Sequence, residues 1–498
     1  MSAGAALAGT KDMALMAKGE AARRLAGAVL GACLAGAALG PTGAKAQEAA
    51  AQQEVYDNAT STRNGGVAAS SIANTLPRRG DPYGIRQTLA RHGFSFDVIY
   101  TGEVLGNVKG GLRRGSLYGG KLEANFAGDL EKALGLPGLS FYVNAFQIHQ
   151  TRGINRNLVG NLNTISAIEA LPSTRLSEAW LEQRLFGGLA SIRFGQLAAD
   201  TEFTIANYSL PFMSSDWPGI MADNLPGGGA AYPFATPGIR LRIDPDKQSS
   251  LLFGLYNGDP AGPSSNPETR NRTGTNFRMK DPALLLAEYQ YRTNQGDKDT
   301  GLARIVRLGG WSHLGRFDSQ RFDVNGLSLA SPGSVGIAAR YRGDAGLYGI
   351  IDQQLYRPEG GSPNDGIAMF TRLFVSPNDR NLIGLFWDAG ILASGLVPGR
   401  PNDQFGVTFL YAKLGRDAAA YDRDFVAQNG LGRSKASGEL SVEFSYVAEI
   451  RHGWTIQPSI THVVRPGGGR ARIEPTTGLA LPPPKDATVL GLRTTIFY

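Results

Sequence analysis

Acid, aromatic and base recur at every second position of one stretch of this chain: Glu178, Trp180, Glu182 and Arg184. Residues two apart on an extended strand share a face, and Leu181 and Leu185 then take the opposite one. Beyond the turn signal Gly187-Gly188, Arg193 joins the same face while Ile192 and Phe194 point away. Arg240 and Arg242 alternate with Ile239, Leu241 and Ile243, and Asp97, Glu103, Lys121 and Glu123 hold equivalent places in earlier alternating segments. Acids and bases facing one watery space supply donors and acceptors of both signs. Such a wall discourages ions of either charge more than it discourages a neutral polyol.

Other spacings promise chemistry and do not deliver it. Gly115-Ser116-Leu117-Tyr118-Gly119-Gly120-Lys121-Leu122 has the glycines and lysine of a phosphate-binding loop. Leu122 stands where a magnesium-holding hydroxyl is required, and Lys121 sits inside an alternating strand and not at a helix start. The five histidines show no ligand spacing, and neither H-E-x-x-H nor G-x-S-x-G occurs. Asp422-Arg423-Asp424 and Asp297-Lys298-Asp299 read as solvated loop charge. No cofactor and no metal is expected, and an enzyme assembled from separate strands is the most distant reading.

The elements that position these residues are strands. Phe94, Phe96, Val98 and Tyr100 alternate with Ser95, Asp97, Ile99 and Thr101; Leu122, Ala124 and Phe126 alternate with Lys121, Glu123 and Asn125. Leu440, Val442, Phe444 and Tyr446 alternate with Glu439, Ser441 and Glu443, and the chain ends on a strand whose Leu490, Leu492, Ile496 and Tyr498 oppose Arg493 and Thr495. Large apolar groups on one face and charges on the other call for two solvents, which a barrel in lipid with a wet lumen provides. Tight turns are expected at Gly187-Gly188, Pro245-Asp246-Lys247, Gly343-Asp344 and His452-Gly453. Long loops are expected near 151–175, 199–235, 258–282, 316–334 and 465–486. The loop at 199–235 carries Phe203, Tyr208, Phe212, Trp217, Tyr232 and Phe234, too apolar to stand in water, so it folds into the barrel mouth and narrows it.

The N-terminus carries an export signal. Arg23-Arg24, the apolar run Leu25 to Gly40, and Ala44-Lys45-Ala46 have the order of a secretory signal cleaved after Ala46. The run is short for a helical span of roughly 20 residues, and Cys33, the one cysteine, leaves with it. The 66 glycines and the short alternating runs fit a large β-protein. The net charge of +7 is small and scattered, which argues against a nucleic-acid partner. The expected organisation is a signal peptide over 1–46, a flexible periplasmic lead-in over 47–82, with a short helix from Ile85 to His92 stopped by Gly93, and a barrel domain over 83–498. The fold is all-β, a closed antiparallel transmembrane barrel. Seventeen candidate strands must become an even number, sixteen with eighteen as the alternative.

An ordered set of motifs resembles the OprB-type carbohydrate-selective porins. It comprises Arg175 to Gln183, Ile192-Arg193-Phe194-Gly195-Gln196, Glu202-Phe203, Tyr232-Pro233 with Pro237-Gly238-Ile239, and Leu255-Tyr256-Asn257-Gly258. Asp352-Gln353-Gln354, Phe370 with Arg372, Pro398 to Asp403, Gln457-Pro458, Arg465-Pro466-Gly467-Gly468 and Leu490-Gly491-Leu492-Arg493 complete it. Gln196 and Glu202 depart from the lysine and aspartate expected there. The resemblance implies a sixteen-stranded barrel of the bacterial outer membrane, held in its lipid and passing monosaccharides such as glucose passively. A general or anion-preferring pore is the alternative, and monomer and trimer stay open. Sugar selection then falls to an eyelet of Glu103, Glu123, Glu178, Trp180, Glu182, Arg184, Arg193 and Arg240, with Trp180 either in the lumen or in an interfacial girdle. Trp454, beside the His452-Gly453 turn, is assigned to the girdle.

Overall fold

Alternation along the strands sets the architecture. A computed structural model describes residues 67–498 except 69, 151–152, 215–216, 265, 297–298, 363 and 475. The expected signal peptide and the lead-in as far as residue 66 lie outside the described residues. In strand β1 (Phe94–Gly111) the polar Ser95, Asp97, Thr101, Glu103 and Asn107 are buried while Val104 and Val108 stand exposed. The same inversion runs through β2 (Gly115–Asp129), β3 (Leu139–Gln150), β4 (Ser173–Leu185), β5 (Ala190–Leu197) and β6 (Thr236–Ile243). It continues in β7 (Ser249–Asn257), β8 (Ala283–Thr293), β9 (Arg304–Asp323), β10 (Ala338–Tyr356), β11 (Gly366–Val375) and β12 (Ile383–Ser394). The series ends with β13 (Gln404–Leu414), β14 (Gly438–Arg451), β15 (Trp454–Val464) and β18 (Lys485–Phe497). The two-residue strands β16 (Arg472–Ile473) and β17 (Ala480–Leu481) pair only with each other.

Among the described residues sixteen strands close one barrel, each antiparallel to its neighbours, with β1 pairing β18 from Ile99↔Phe497 to Gly111↔Lys485. The even count brings the start of β1 and the end of β18 to one rim. Connections at that rim are short, as at 186–189, 244–248 and 452–453, and the long ones, 151–172, 198–235, 258–282, 415–437 and 465–484, crown the other. Closure is clasped from outside the sheet. Helix α1 (Ile85–Arg91), capped by Asp81 through the amides of Arg86 and Gln87, places the Arg86 guanidinium between the rings of Phe96 and Tyr498, at 4.2 and 4.5 Å. The Tyr498 hydroxyl donates to the Gly80 carbonyl, and residues 72–84 wind into short 3-10 turns on the same rim.

Three expectations of detail are corrected. Gly343-Asp344 is not a turn; it is a register shift inside β10, where Gly343 takes a φ of +74°. The loop expected at 316–334 is shorter, because β9 continues to Asp323 and its Phe317 is buried against His313. After the short helices α2 (Leu130–Leu134) and α3 (Gly219–Asn224), a longer one, α4 (Arg416–Gln428), occupies the connection after β13, where no long loop was expected. It begins after Gly415 and ends against Asn429, between two strands whose alternation is unbroken.

Candidate functional site

The lumen is not an empty tube. The long connection 198–235 folds into it, and its Phe203, Phe212, Trp217, Ile220 and Met221 are buried against inward residues of the wall such as Tyr256, Leu286, Trp311, Phe370 and Phe386, while Met213 packs with Leu105, Val463 and Val489. Helix α3 (Gly219–Asn224) lies in this segment and is held at Asn224, which donates to the Ile383 carbonyl at 2.8 Å and accepts from the Ile383 amide at 3.1 Å. The constricting loop expected from the aromatics is therefore present, and most of its aromatics pack and do not face water.

What holds the loop is a row of inward carboxylates, each accepting from loop amides. Glu178 of β4 takes the Ala198 amide at 3.0 Å, and Glu288 of β8 takes Thr204 at 2.9 Å. Asp352 of β10 takes Asn207 and Tyr208 at 3.0 and 3.1 Å. Glu443 of β14 takes Met213 and Ser214 at 2.8 and 3.0 Å. The segment crosses the barrel from β5 toward β15, where Gln457 donates to the Pro211 carbonyl at 2.8 Å. A second loop, 151–172, also enters: Glu439 accepts from Leu162 and Asn163 at 2.8 and 2.7 Å, and the Ser166 hydroxyl donates to Glu103. Buried amides need partners, and these carboxyl groups supply them.

Five of the eight residues singled out from sequence come together in one ladder over β2 to β6. Lys121 pairs with Glu123 at 2.7 Å, and Asn144 donates to Glu123 at 2.8 Å and to Asn125 at 2.5 Å. The Tyr142 hydroxyl donates to Asn125 at 2.8 Å, and its ring stacks on Trp180 at 5.2 Å. The Arg193 guanidinium lies over Trp180 at 3.7 Å and pairs with Glu182 at 2.7 Å and Glu202 at 3.3 Å. Arg240 completes the group, reaching Glu182 at 3.2 Å and Glu202 at 2.8 Å. Two acids and two bases thus neutralise one another where the loop leaves the wall. Burial alone would raise the Glu202 carboxyl; Arg193 and Arg240 hold it below the usual carboxylate range. Gly195 makes room for the arrangement: it lies opposite Trp180 with a φ of +140°, and a Cβ there would meet the Trp180 Cα at 2.8 Å.

Trp180 therefore faces the lumen and not the girdle. Its phase comes from an irregularity between β3 and β4 that turns both Ser177 and Glu178 inward. Trp454, by contrast, pairs with Ile496 at the short-turn rim and donates to Thr494 at 2.9 Å, as a girdle residue should. The other three residues lie apart from the ladder. Glu103 pairs with Arg493 at 3.0 Å, Glu178 anchors the loop, and Arg184 is exposed near the 186–189 turn. Accessibility grades along the ladder, from an Arg240 side chain at 0% to a Glu123 side chain at 18%. The eyelet set read from the sequence did not include Glu288, Arg307, Asp352, Arg372 and Asp388, although Asp352 and Arg372 stood among the family motifs. Arg307–Asp352 is a 2.7 Å pair and Arg372–Asp388 a 2.5 Å pair, both buried, and Arg372 also donates to the Thr204 carbonyl at 3.2 Å.

The barrel has counterparts among known proteins. The sequence profile described as "Carbohydrate-selective porin, OprB family" matches residues 113–498. The chain belongs to the OprB family. Porin B of Pseudomonas aeruginosa is 23% identical over 411 residues, covering 78% of this chain and 87% of that relative. The high-pH structure of Pseudomonas putida OprB superimposes with a TM-score of 0.68 at 20% identity, covering 83% of this chain and 96% of that one, which establishes the shared fold. This OprB-family member is a carbohydrate-selective porin of the bacterial outer membrane, a channel and not an enzyme. Its short turns then face the periplasm and its long loops the cell exterior.

Proposed function

We propose that this porin passes monosaccharides, glucose among them, by passive diffusion, and that the ladder from Lys121 to Arg240 is the wall they brush. The observation that carries this reading is the pairing of charges. Lys121 with Glu123, Arg193 and Arg240 with Glu182 and Glu202, Arg307 with Asp352, Arg372 with Asp388 and Arg493 with Glu103 set opposite charges side by side around the wall, and the inward Glu178, Glu288, Glu439 and Glu443 are taken up by loop amides. An anion or cation entering such a lumen gains little attraction in return for its hydration. A neutral sugar finds hydrogen-bond partners at the accessible end, where Lys121 also lies 4.7 Å from the ring of Phe146 and 5.3 Å from that of Tyr232. Binding there must be weak for the solute to leave. Arg240 and Glu182 serve the same end indirectly, by fixing the loop that sets the opening.

Single-channel conductance of the purified mature protein in a planar bilayer, titrated with glucose and with organic anions, tests the reading. Saturable block by glucose that the anions do not match is expected, and Glu123→Gln should weaken it. Open channels with no saturable sugar block would assign the protein to general diffusion, and an unchanged block in Glu123→Gln would remove that residue from the solute path.

A further inference from the structure

Above the constriction, at the exterior mouth, two cavities meet. One of about 490 Å³ lies open between α4, the 465–484 connection and the 151–172 loop, and one of about 360 Å³ adjoins it; Tyr421 and Arg470 line both. The larger falls within the roughly 300–1,000 Å³ of small-molecule sites. Its apolar wall is a stacked pair one helical turn apart, Tyr421 and Phe425, with ring centroids 6.1 Å apart and planes at 27°. Its polar wall is Arg470 and Arg472. The Nε of each is buried without a hydrogen-bond partner, and neither guanidinium forms an ion pair among the described residues. Elsewhere in the lumen Arg193, Arg240, Arg307 and Arg372 are matched by carboxylates, while Arg175 donates to the Asn271 carbonyl and Arg292 to Ser250 and Gln290; Arg470 and Arg472 differ in lining an open cavity. Asp422 lines the same cavity but is already engaged: it accepts from the Ala471 amide at 2.7 Å and from the Ser434 hydroxyl at 2.5 Å. It pins the segment that bears the arginines to α4; the Asp223 carboxylate attracts Arg470 from beyond ion-pair distance, and both guanidinium forks can take a ligand.

A buried donor left unpaired is costly, and an anionic acceptor of matching geometry removes that cost. A guanidinium is shaped for a carboxylate, and a stacked aromatic pair is shaped for the C–H face of a pyranose. We propose that this mouth is a capture site for an acidic monosaccharide, its ring against Tyr421 and Phe425 and its carboxylate on Arg470 and Arg472, upstream of the neutral eyelet. The proposal rests on the reading of the pore as a sugar channel. The site concentrates a solute that the paired-charge wall below would otherwise disfavour.

The test is channel block from the exterior side at about 0.1 M salt, where charges up to about 10 Å apart still interact, with glucuronate, glucose and succinate as probes. Glucuronate should block at about tenfold lower concentration than glucose, the effect of one good charge-assisted contact, and succinate should not match it. R470Q/R472Q should abolish the preference and leave glucose block unchanged; Y421A should weaken glucuronate block with both arginines in place. If glucose blocks and glucuronate blocks no better, or if R470Q/R472Q keeps the preference, the capture site is overturned and the sugar pore stands. Equal block by succinate overturns the ring contact, and with it an acidic sugar as ligand. Saturable block by none of the sugars overturns the sugar reading itself.

Discussion

At the scale of single residues, the charges of this lumen do structural work as well as facing the solute. Glu182 serves two arginines, and Arg240 is covered completely. Replacing Glu182 with Gln leaves Arg193 and Arg240 to share Glu202. Breaking a buried pair by removing one partner costs about 3–5 kcal/mol; with Glu202 remaining, a loss near the lower bound is expected in denaturant unfolding from detergent. Noisier single-channel traces should accompany it as the loop base loosens. Unchanged unfolding together with quiet channels would mean that Glu202 alone holds both arginines. A second residue gives a pH dependence. Burial raises the Glu169 carboxyl of the 151–172 loop to about 7, partly offset by the hydrogen bond from the Asn155 amide at 3.1 Å. In an unfolded loop it would titrate near its ordinary value of 4.5. The folded loop therefore binds the proton more tightly, its stabilisation is complete below about pH 4.5, and it is lost as pH rises through about 7. Hydrogen exchange of residues 153–172 should show more opening at pH 8 than at pH 5, after correction for the intrinsic exchange rate, and Glu169→Gln should flatten the difference.

The elements show how far alternation carries and where it ends. A strand between lipid and water must place apolar and polar groups on alternate residues, so strand faces, the closing strand and the inward set were legible. Glu439 and Glu443 were visible as inward charges for that reason. What they hold was not, because their partners are amides of Leu162, Asn163, Met213 and Ser214, hundreds of residues away, and an amide has no sequence signature. Trp180 illustrates the same limit: girdle or lumen depends on strand phase, which the irregularity at Ser177 and Glu178 resets. Gly343-Asp344 read as a turn because a glycine at positive φ serves a bulge as readily as a turn. The anchors are testable one element at a time. Glu443→Ala leaves the buried Met213 and Ser214 amides without their acceptor, at about 1–3 kcal/mol for each unpaired group. The loop should detach at its midpoint, with conductance rising and sugar block weakening while the barrel stays folded. Conductance indistinguishable from the parent protein would show that Asp352 and Asn224 suffice to hold the loop.

The whole molecule is built on one sheet that meets two solvents, and two adjacent residues of β9 expose that design. Leu308 stands 58% exposed on the outer face; Arg307 beside it is buried, bonded to Asp352 at 2.7 Å and to the Asn207 side chain at 2.8 Å. A cation on the lipid face costs about 2–4 kcal/mol at the bilayer midplane. Leu308→Arg should therefore impair insertion into vesicles, read as loss of the compact, heat-modifiable band on a gel, while any channels that do insert conduct as the parent does. Arg307→Leu should behave in the opposite way. The barrel inserts, because nothing facing lipid has changed, but Asp352 loses its counter-charge and the loop loses a tie, so the open-channel current changes. Swapped phenotypes would mean that β9 runs in the other phase, and that the pairing of lumen charges on which sugar selectivity rests is misassigned along this strand.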